Sequence, residues 1–166
     1  MHIAEIEPVA WSARYECDTS ALPPSNVRAG RHTFTVATTQ DRQVFDITAR
    51  VRDAVAQTGI EDGIAVVNCL HTTCSVLVQP ADSAVLSALL AGMDSMIPAD
   101  AMYRHNDPRF SDCERGNGAA HLRAALIGHG VMVSLEAGRL RLEESLLLVE
   151  WDGPRCRSID VHVLGA

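Results

Sequence analysis

The longest apolar pattern in the chain lies between Gly63 and Gln79. It is almost unbroken, and the polar sequence His71-Thr72-Thr73 stands near its middle. A continuous run rich in β-branched residues is typical of a strand that is covered on both faces. Polar side chains inside such a strand need partners, since an unpaired buried polar group costs about 1–3 kcal/mol. The pattern therefore predicts one long central strand in which His71 faces a partner or a ligand.

The patterns on either side predict helices and further strands. Alternation predicts a strand over 33–39, and helical spacing predicts one helix that begins near Asp46 and ends at Gly59. Further helices are predicted over 82–96, with Asp82 or Ser83 as its cap, and over 119–127. A hairpin is predicted over 131–142, and strands are predicted over 145–150 and 155–164. The predicted order is strand, helix, strand, helix, loop and helix, followed by an antiparallel meander. This order is typical of a single α+β domain. We expect a mixed, mostly antiparallel sheet with helices packed on it.

Two stretches carry no clear periodic pattern. Residues 1–30 are predicted to form an N-terminal arm or extension, which leaves 31–166 as the folded domain. Residues 99–115 hold few apolar groups and several polar ones, and they are predicted to form a long loop. Long loops in compact domains often carry function.

Composition narrows the classes of partner. The chain has 166 residues and a net charge of −7, which makes nucleic acid and anionic membranes poor default partners. All 14 basic residues are arginine, so an anion site must use guanidinium groups and no lysine Schiff base is available. Five cysteines without a CxxC pair, and no signal-peptide pattern, predict a reduced cytoplasmic protein. No segment has the roughly 20 apolar residues that a membrane span needs.

Three histidines are the strongest candidates for chemistry. His71 falls in the predicted central strand, His105 in the polar loop and His121 in the first turn of a predicted helix. Three imidazoles from separate elements can form a zinc site with one open position for water or substrate. Histidines are more often structural, and the wide spacing of these three leaves that alternative open.

Five other residues are candidates for binding an anion. A helix preceded by Asn117 offers free backbone N–H groups, and two arginines flank the last predicted turn. The alternatives are a plain helix cap, a solvated strand edge and threonines that satisfy only the backbone. The candidates are Thr72, Thr73, Asn117, Arg155 and Arg157.

Four motifs together resemble the YjbQ family (UPF0047). They are the HTT sequence at 71–73, His105 two residues after a tyrosine, GNGAAHL at 116–122 and EWDGPRCR at 150–157. Family members carry HTT, a central histidine, GN-x-x-AHL and E-x-DGPR-x-R in this order, and the resemblance runs from about 33 to 163. It implies a compact α+β domain, a homotrimer, and a divalent metal, often zinc, held by His71, His105 and His121. It also implies secondary thiamine-phosphate synthase activity.

Two departures from the family pattern concern the chemistry. The family has I-N-E shortly after HTT, where this chain has Gln79 and Pro80, and it has G-T-W-Q where this chain has Glu143 to Leu146. A carboxylate beside a metal commonly acts as a base or orients a ligand.

Three hypotheses about the function remain. The first is a metal-dependent, thiamine-phosphate synthase-like transferase acting on a small phosphorylated substrate. The second is a non-catalytic trimer that binds a phosphorylated metabolite or a protein, and the third is a metal-dependent hydrolase.

Overall fold

The structure is a computed structural model that describes residues 26–166. Its strands are β1 (Arg28–Ala37), β2 (Gln43–Asp46), β3 (Gly63–Cys69), β4 (Cys74–Gln79), β5 (Gly130–Glu136), β6 (Arg139–Leu140), β7 (Ser145–Glu150) and β8 (Cys156–Gly165). Its α-helices are α1 (Thr48–Thr58), α2 (Ser83–Met96) and α3 (Gly118–Ile127), and a single 3-10 turn covers Arg104–Asn106.

The strands form two sheets. One has five strands in the order β1-β8-β3-β5-β6, and the other has three in the order β2-β7-β4. Every pairing among the described strands is antiparallel. The predicted single α+β domain is therefore confirmed, with its strands divided between two sheets.

The predicted single strand over 63–79 is wrong in one respect. It is two strands, β3 in the five-stranded sheet and β4 in the three-stranded sheet, joined by the turn at 70–73. Ala65, Val67 and Cys69 of β3 and Cys74 and Val76 of β4 all contribute to the same core. The apolar run is continuous because both strands line one core, and the polar residues mark the passage from one sheet to the other.

The two cores lie on opposite sides of the three-stranded sheet. The larger core fills the space between the sheets and includes Val51 and Val55 of α1. The smaller core lies between the three-stranded sheet and helices α2 and α3, with Trp151 at its edge. Strand β7 is almost wholly buried because it faces both cores. The segment that follows β7 is consequently held firmly, and it leads directly into the candidate site.

Local signals explain the helix boundaries. The Asp82 carboxylate accepts hydrogen bonds from the Ala84 and Val85 backbone N–H groups, which caps α2 as predicted. At the start of α1 the Asp46 carboxylate accepts from the Thr48 backbone N–H at 2.8 Å. Gly59 ends α1 in the left-handed conformation, with φ of +61°.

The N-terminal prediction is not tested. Most of the predicted arm, residues 1–25, lies outside the described residues, so the division into 1–30 and 31–166 stays a prediction. Strand β1 begins at Arg28, five residues earlier than the predicted strand at 33–39. Within 26–166, no helix combines the length and apolar character that crossing a bilayer requires.

Candidate functional site

His71 lies in the turn between the two sheets, not within a strand as predicted. Its ring Nε2 accepts a hydrogen bond from the backbone N–H of Ser158 on β8, at 3.0 Å. The backbone N–H of Leu70 donates to the Ser158 carbonyl, also at 3.0 Å. The imidazole therefore supplies the acceptor for the Ser158 N–H at the point where the backbone pairing of β3 with β8 ends. Burial, followed by the nearby positive charge of Arg157, lowers the pKa of His71 and favours its neutral form.

The two threonines of the turn face different surroundings. Thr73 is buried, and its hydroxyl accepts a hydrogen bond from Arg157 Nη2 at 3.0 Å. Thr72 is exposed, and its backbone acts on the His121 ring, where it opposes the lowering of the pKa by burial. The turn thus connects the interior of the domain on one side with helix α3 on the other.

Arg157 belongs to a closed ion pair. Its Nε donates to Glu150 Oε2 at 2.6 Å, and the two side chains are 3% and 0% exposed. The same carboxylate accepts from the Thr38 hydroxyl and from the Asp152 backbone N–H. Burial opposes ionisation of Glu150, but these donors outweigh it and lower its pKa. Arg157, predicted to bind an anion, thus has its charge matched inside the protein.

Asp152 also pairs with arginines, but with arginines that are partly exposed to solvent. Its carboxylate accepts from Arg155 Nη2 at 3.1 Å, from Arg115 Nη2 at 3.3 Å and from Asn117 Nδ2 at 2.9 Å. Burial opposes its ionisation, but the hydrogen bonds from Asn117 and Arg155 and the charge of Arg115 lower its pKa. Both arginines remain substantially exposed, 35% for Arg155 and 47% for Arg115, so each has donors available to a ligand.

Asn117 connects Asp152 to His105. Asn117 occupies the predicted cap position of α3, but its side chain makes no capping hydrogen bond. Its Nδ2 donates to Asp152, which leaves Oδ1 facing His105 Nε2 at 3.1 Å. Because an amide oxygen only accepts, His105 Nε2 must carry the proton. The neutral His105 ring therefore has its free lone pair on Nδ1.

His105 and His121 are in direct contact. Their ring centroids lie 4.9 Å apart in an edge-to-face arrangement. Burial and then the neighbouring His105 lower the pKa of His121. A ring that is readily neutral beside a second ring of fixed tautomer is suited to moving protons near neutral pH.

Gly118 allows the loop that carries His105 to pack against α3. Its backbone N–H donates to Asn106 Oδ1 at 2.8 Å. A Cβ at this position would lie 2.8 Å from Asn106 Oδ1 and 2.8 Å from the Tyr103 Cβ. The result is a cleft of about 400 Å³ at the His105–His121 pair. It is lined by Tyr103, Arg104, His105, Gly118, His121 and Leu122.

The three predicted metal ligands do not form a ligand set in this arrangement. Among residues 26–166 there is no group of three or more His, Cys, Asp or Glu side chains placed to hold a metal ion. His71 uses its Nε2 lone pair for Ser158, whereas His105 and His121 contact each other. A neutral imidazole has one lone pair, so His71 would have to give up Ser158 to bind a metal through Nε2. The side chains as placed do not fit the implied zinc site.

The sequence analysis missed the acidic groups that organise the site. Asp152, Glu150 and Arg115 were not candidates, although the first two lie in the DGPR-containing segment beside two candidate arginines. That alternation of acid and arginine was the available signal. Asp107, an acid close to His105 in the same loop, is paired with Arg109. Asp152 is the acid that acts on His121.

Fold and site together define an α+β protein with two antiparallel sheets and a cleft at a pair of imidazoles, connected through Asn117 to Asp152 and its two arginines. The chain belongs to the UPF0047 family, since the family model described as UPF0047 protein YjbQ-like matches residues 32–166. A UPF0047 protein of Archaeoglobus fulgidus is 32% identical over 133 residues, covering 79% of this chain and 98% of the relative. The UPF0047 protein YugU of Bacillus subtilis is 32% identical over 136 residues, covering 80% and 98%.

Solved structures show the same fold. A YbjQ-like protein of unknown function from Sulfolobus solfataricus superimposes with a TM-score of 0.78 and is 26% identical, covering 84% of this chain and 99% of its own. An uncharacterised YjbQ/UPF0047 protein from Clostridium acetobutylicum gives a TM-score of 0.71 at 32% identity, covering 80% and 98%. The predicted family and fold are therefore both confirmed.

Proposed function

We propose that this protein binds a small phosphorylated metabolite in the cleft beside His105 and His121 and acts on it by acid–base and electrostatic catalysis. The observation that carries the proposal is the hydrogen-bonded chain from Arg155 through Asp152 and Asn117 to His105. It connects a cation suited to a phosphate with an imidazole of defined tautomer.

The charge balance around Asp152 supports an anionic ligand. Two guanidinium groups, from Arg115 and Arg155, share one carboxylate, which leaves one positive charge of this group unmatched. Arg104 adds a further guanidinium at the cleft itself. Arginine forks match phosphate oxygens in bidentate geometry, so a phosphate or diphosphate group is the anion that this set suits best.

The imidazole pair supports proton transfer. His105 Nδ1 is the free lone pair of a ring held by Asn117, as the general base of a catalytic site requires. His121 packs edge-to-face against that ring, and a positive charge on His105 lowers the pKa of His121. Positioned imidazoles contribute about 10²–10⁴-fold to the rates of such reactions.

Secondary thiamine-phosphate synthesis is the specific reaction that the family resemblance suggests. In that reaction a bond forms between a pyrimidine methylene carbon and a thiazole nitrogen, while the carbon–oxygen bond to diphosphate breaks. The departing oxygen keeps the electron pair, and a protonated imidazole of the His105–His121 pair donates a proton to it, which leaves that imidazole neutral. In this proposal Arg115 and Arg155, which both pair with Asp152, stabilise the negative charge that develops on the diphosphate.

The test combines the pyrimidine diphosphate with the thiazole phosphate and measures thiamine phosphate. Wild type is compared with His105→Gln and with His162→Gln, a matched histidine change on the outer face of the five-stranded sheet. We expect turnover in wild type and His162→Gln, and a loss of at least about 100-fold in His105→Gln. Equal rates in all three proteins would reject His105 as a catalytic residue.

Two rival functions give different results in the same experiment. A non-catalytic binder, which the lost I-N-E and Trp-Gln positions favour, is stabilised by inorganic diphosphate but turns over neither substrate. A hydrolase releases phosphate from simple phosphoesters instead. Thermal unfolding with and without diphosphate, followed by a phosphoester screen with and without chelator, separates the three functions.

The three-histidine zinc site remains a separate prediction. It requires about one zinc ion per chain in the purified protein, lost in His71→Ala, His105→Ala and His121→Ala alike. Elemental analysis of the four proteins tests it. Zinc that is absent from wild type after growth and purification with added zinc would reject the prediction.

The predicted homotrimer also remains a proposal. Apolar residues of three neighbouring strands face outward on the five-stranded sheet, where Met132 is 67% exposed and Leu164 is 42% exposed. Val66 pairs with Met132, and Ile64 pairs with Leu164, so the four side chains form one patch. Exposed apolar patches commonly mark protein contacts. Sedimentation of wild type beside Met132→Glu tests whether this patch holds an assembly together.

A further inference from the structure

We infer that His71 is a positioning residue whose Nε2 ends the β3–β8 ladder, and that it is not a metal ligand. The inference rests on the 3.0 Å hydrogen bond from the Ser158 backbone N–H to His71 Nε2. A backbone N–H only donates, so Nε2 is the unprotonated nitrogen and Nδ1 carries the ring proton. This assignment does not depend on which substrate occupies the cleft.

The surrounding ladder explains why an imidazole is needed there. Strand β3 pairs with β8 up to Cys69 opposite Ile159, and the Leu70 N–H then donates to the Ser158 carbonyl. The chain turns toward the other sheet immediately afterwards, so no backbone carbonyl of β3 remains for the Ser158 N–H. The His71 ring supplies that acceptor, which is required because an unpaired backbone donor in a half-buried position is costly.

Fixing the His71 ring also fixes the turn. Thr72 follows directly in the chain, and its backbone lies close enough to His121 to affect the pKa of that ring. Fixing the His71 ring therefore fixes the position of the Thr72 backbone beside His121. His105 and His71 consequently have opposite tautomers, with the proton on Nε2 in His105 and on Nδ1 in His71.

The experiment uses two variants of similar size with and without the acceptor. Glutamine places its Oε1 near the position of the histidine Nε2, whereas leucine offers no acceptor. We expect the Ser158 amide to keep its hydrogen-exchange protection in His71→Gln and to exchange about tenfold faster in His71→Leu. The His121 ring resonances should follow the same order, with His71→Gln close to wild type.

Nitrogen-15 NMR of labelled histidine supplies the decisive readout. We expect His71 in wild type to show a protonated Nδ1 and an unprotonated Nε2, and both resonances to stay in place when zinc is added. A zinc-induced displacement of the His71 Nε2 resonance would overturn the inference. Equal loss of Ser158 protection in His71→Gln and His71→Leu would also overturn it, because the acceptor would then not be what holds the turn.

Discussion

Glu150 and Asp152 are carboxylates two positions apart, and the contrast between them explains how this fold carries a site. Glu150 ends the buried strand β7, is 0% exposed and has its charge matched by the equally buried Arg157. Asp152 lies just beyond the strand and shares its charge between two exposed arginines. One carboxylate holds the turn between β7 and β8 in place, and the other uses that fixed turn to organise an open cleft.

Breaking the buried Glu150–Arg157 ion pair should give the largest loss of stability. Glu150→Gln leaves the Arg157 guanidinium buried without its counter-charge, and we expect a loss of about 3–5 kcal/mol in the free energy of unfolding. Urea unfolding followed by circular dichroism measures it. The double variant Glu150→Leu/Arg157→Met should recover most of the loss, since neither charge then remains buried. A loss below about 1 kcal/mol for Glu150→Gln would contradict the view that Glu150 holds the fold more strongly than Asp152 does.

Changing the open carboxylate should affect the site more than the fold. In Asp152→Asn the two arginines stay solvated, so we expect a loss of only about 1–2 kcal/mol in the free energy of unfolding. The new amide offers Asn117 either an oxygen or an NH2 group, so the orientation of the Asn117 amide is no longer fixed. The Nε2–H tautomer of His105 should therefore give way to a mixture. Nitrogen-15 NMR of His105 checks this. A tautomer unchanged from wild type would show that Asp152 does not act through Asn117.

A side chain at Gly118, where the loop that carries His105 packs on α3, should change stability by a smaller amount. Gly118→Ala places a Cβ 2.8 Å from Asn106 Oδ1, and we expect a net cost of about 1 kcal/mol after the gain in helix propensity. Gly92→Ala is the matched control, because a Cβ there meets nothing within 4 Å in the middle of α2. That control should gain about 0.5–1 kcal/mol. Equal gains at both sites would mean that the loop does not pack on α3 as described.

The smallest effect should appear in the dependence of stability on pH. The pKa of His121 is lowered in the folded protein, chiefly by burial, so the unfolded chain binds the proton more readily. Stability should therefore fall as the pH drops below the ordinary histidine value of about 6.5. His121→Asn should show a shallower fall than wild type in urea unfolding between pH 7 and pH 5. A steeper fall in the variant would contradict the sign of this shift.

The sequence predicted the elements well where one periodicity governed a whole segment. Helix α2 and its Asp82 cap followed directly from spacing and cap chemistry. The single strand over 63–79 failed because β3 and β4 line the same core, so their apolar patterns join without a glycine or proline between them. A turn made of His-Thr-Thr is visible only once the two sheets are known.

The sequence predicted several residues of the candidate site, but it did not predict which partners their side chains contact. Asn117 was placed correctly before α3, yet its side chain serves Asp152 and His105 instead of the helix. Arg155 and Arg157 look alike in the sequence, but Arg155 is partly exposed beside Asp152, whereas Arg157 is buried against Glu150. These distinctions depend on partners far away along the chain, which local patterns do not encode.

The cations around Asp152 are guanidinium groups rather than amines, and this affects behaviour in alkaline solution. Arginine side chains in proteins keep their charge throughout the ordinary pH range, whereas lysine amines can lose theirs when buried. An alkaline decline in the affinity for an anion must then come from the ligand or from another group. Since the chain has no lysine, reagents that modify lysine side chains leave the cleft chemically unchanged.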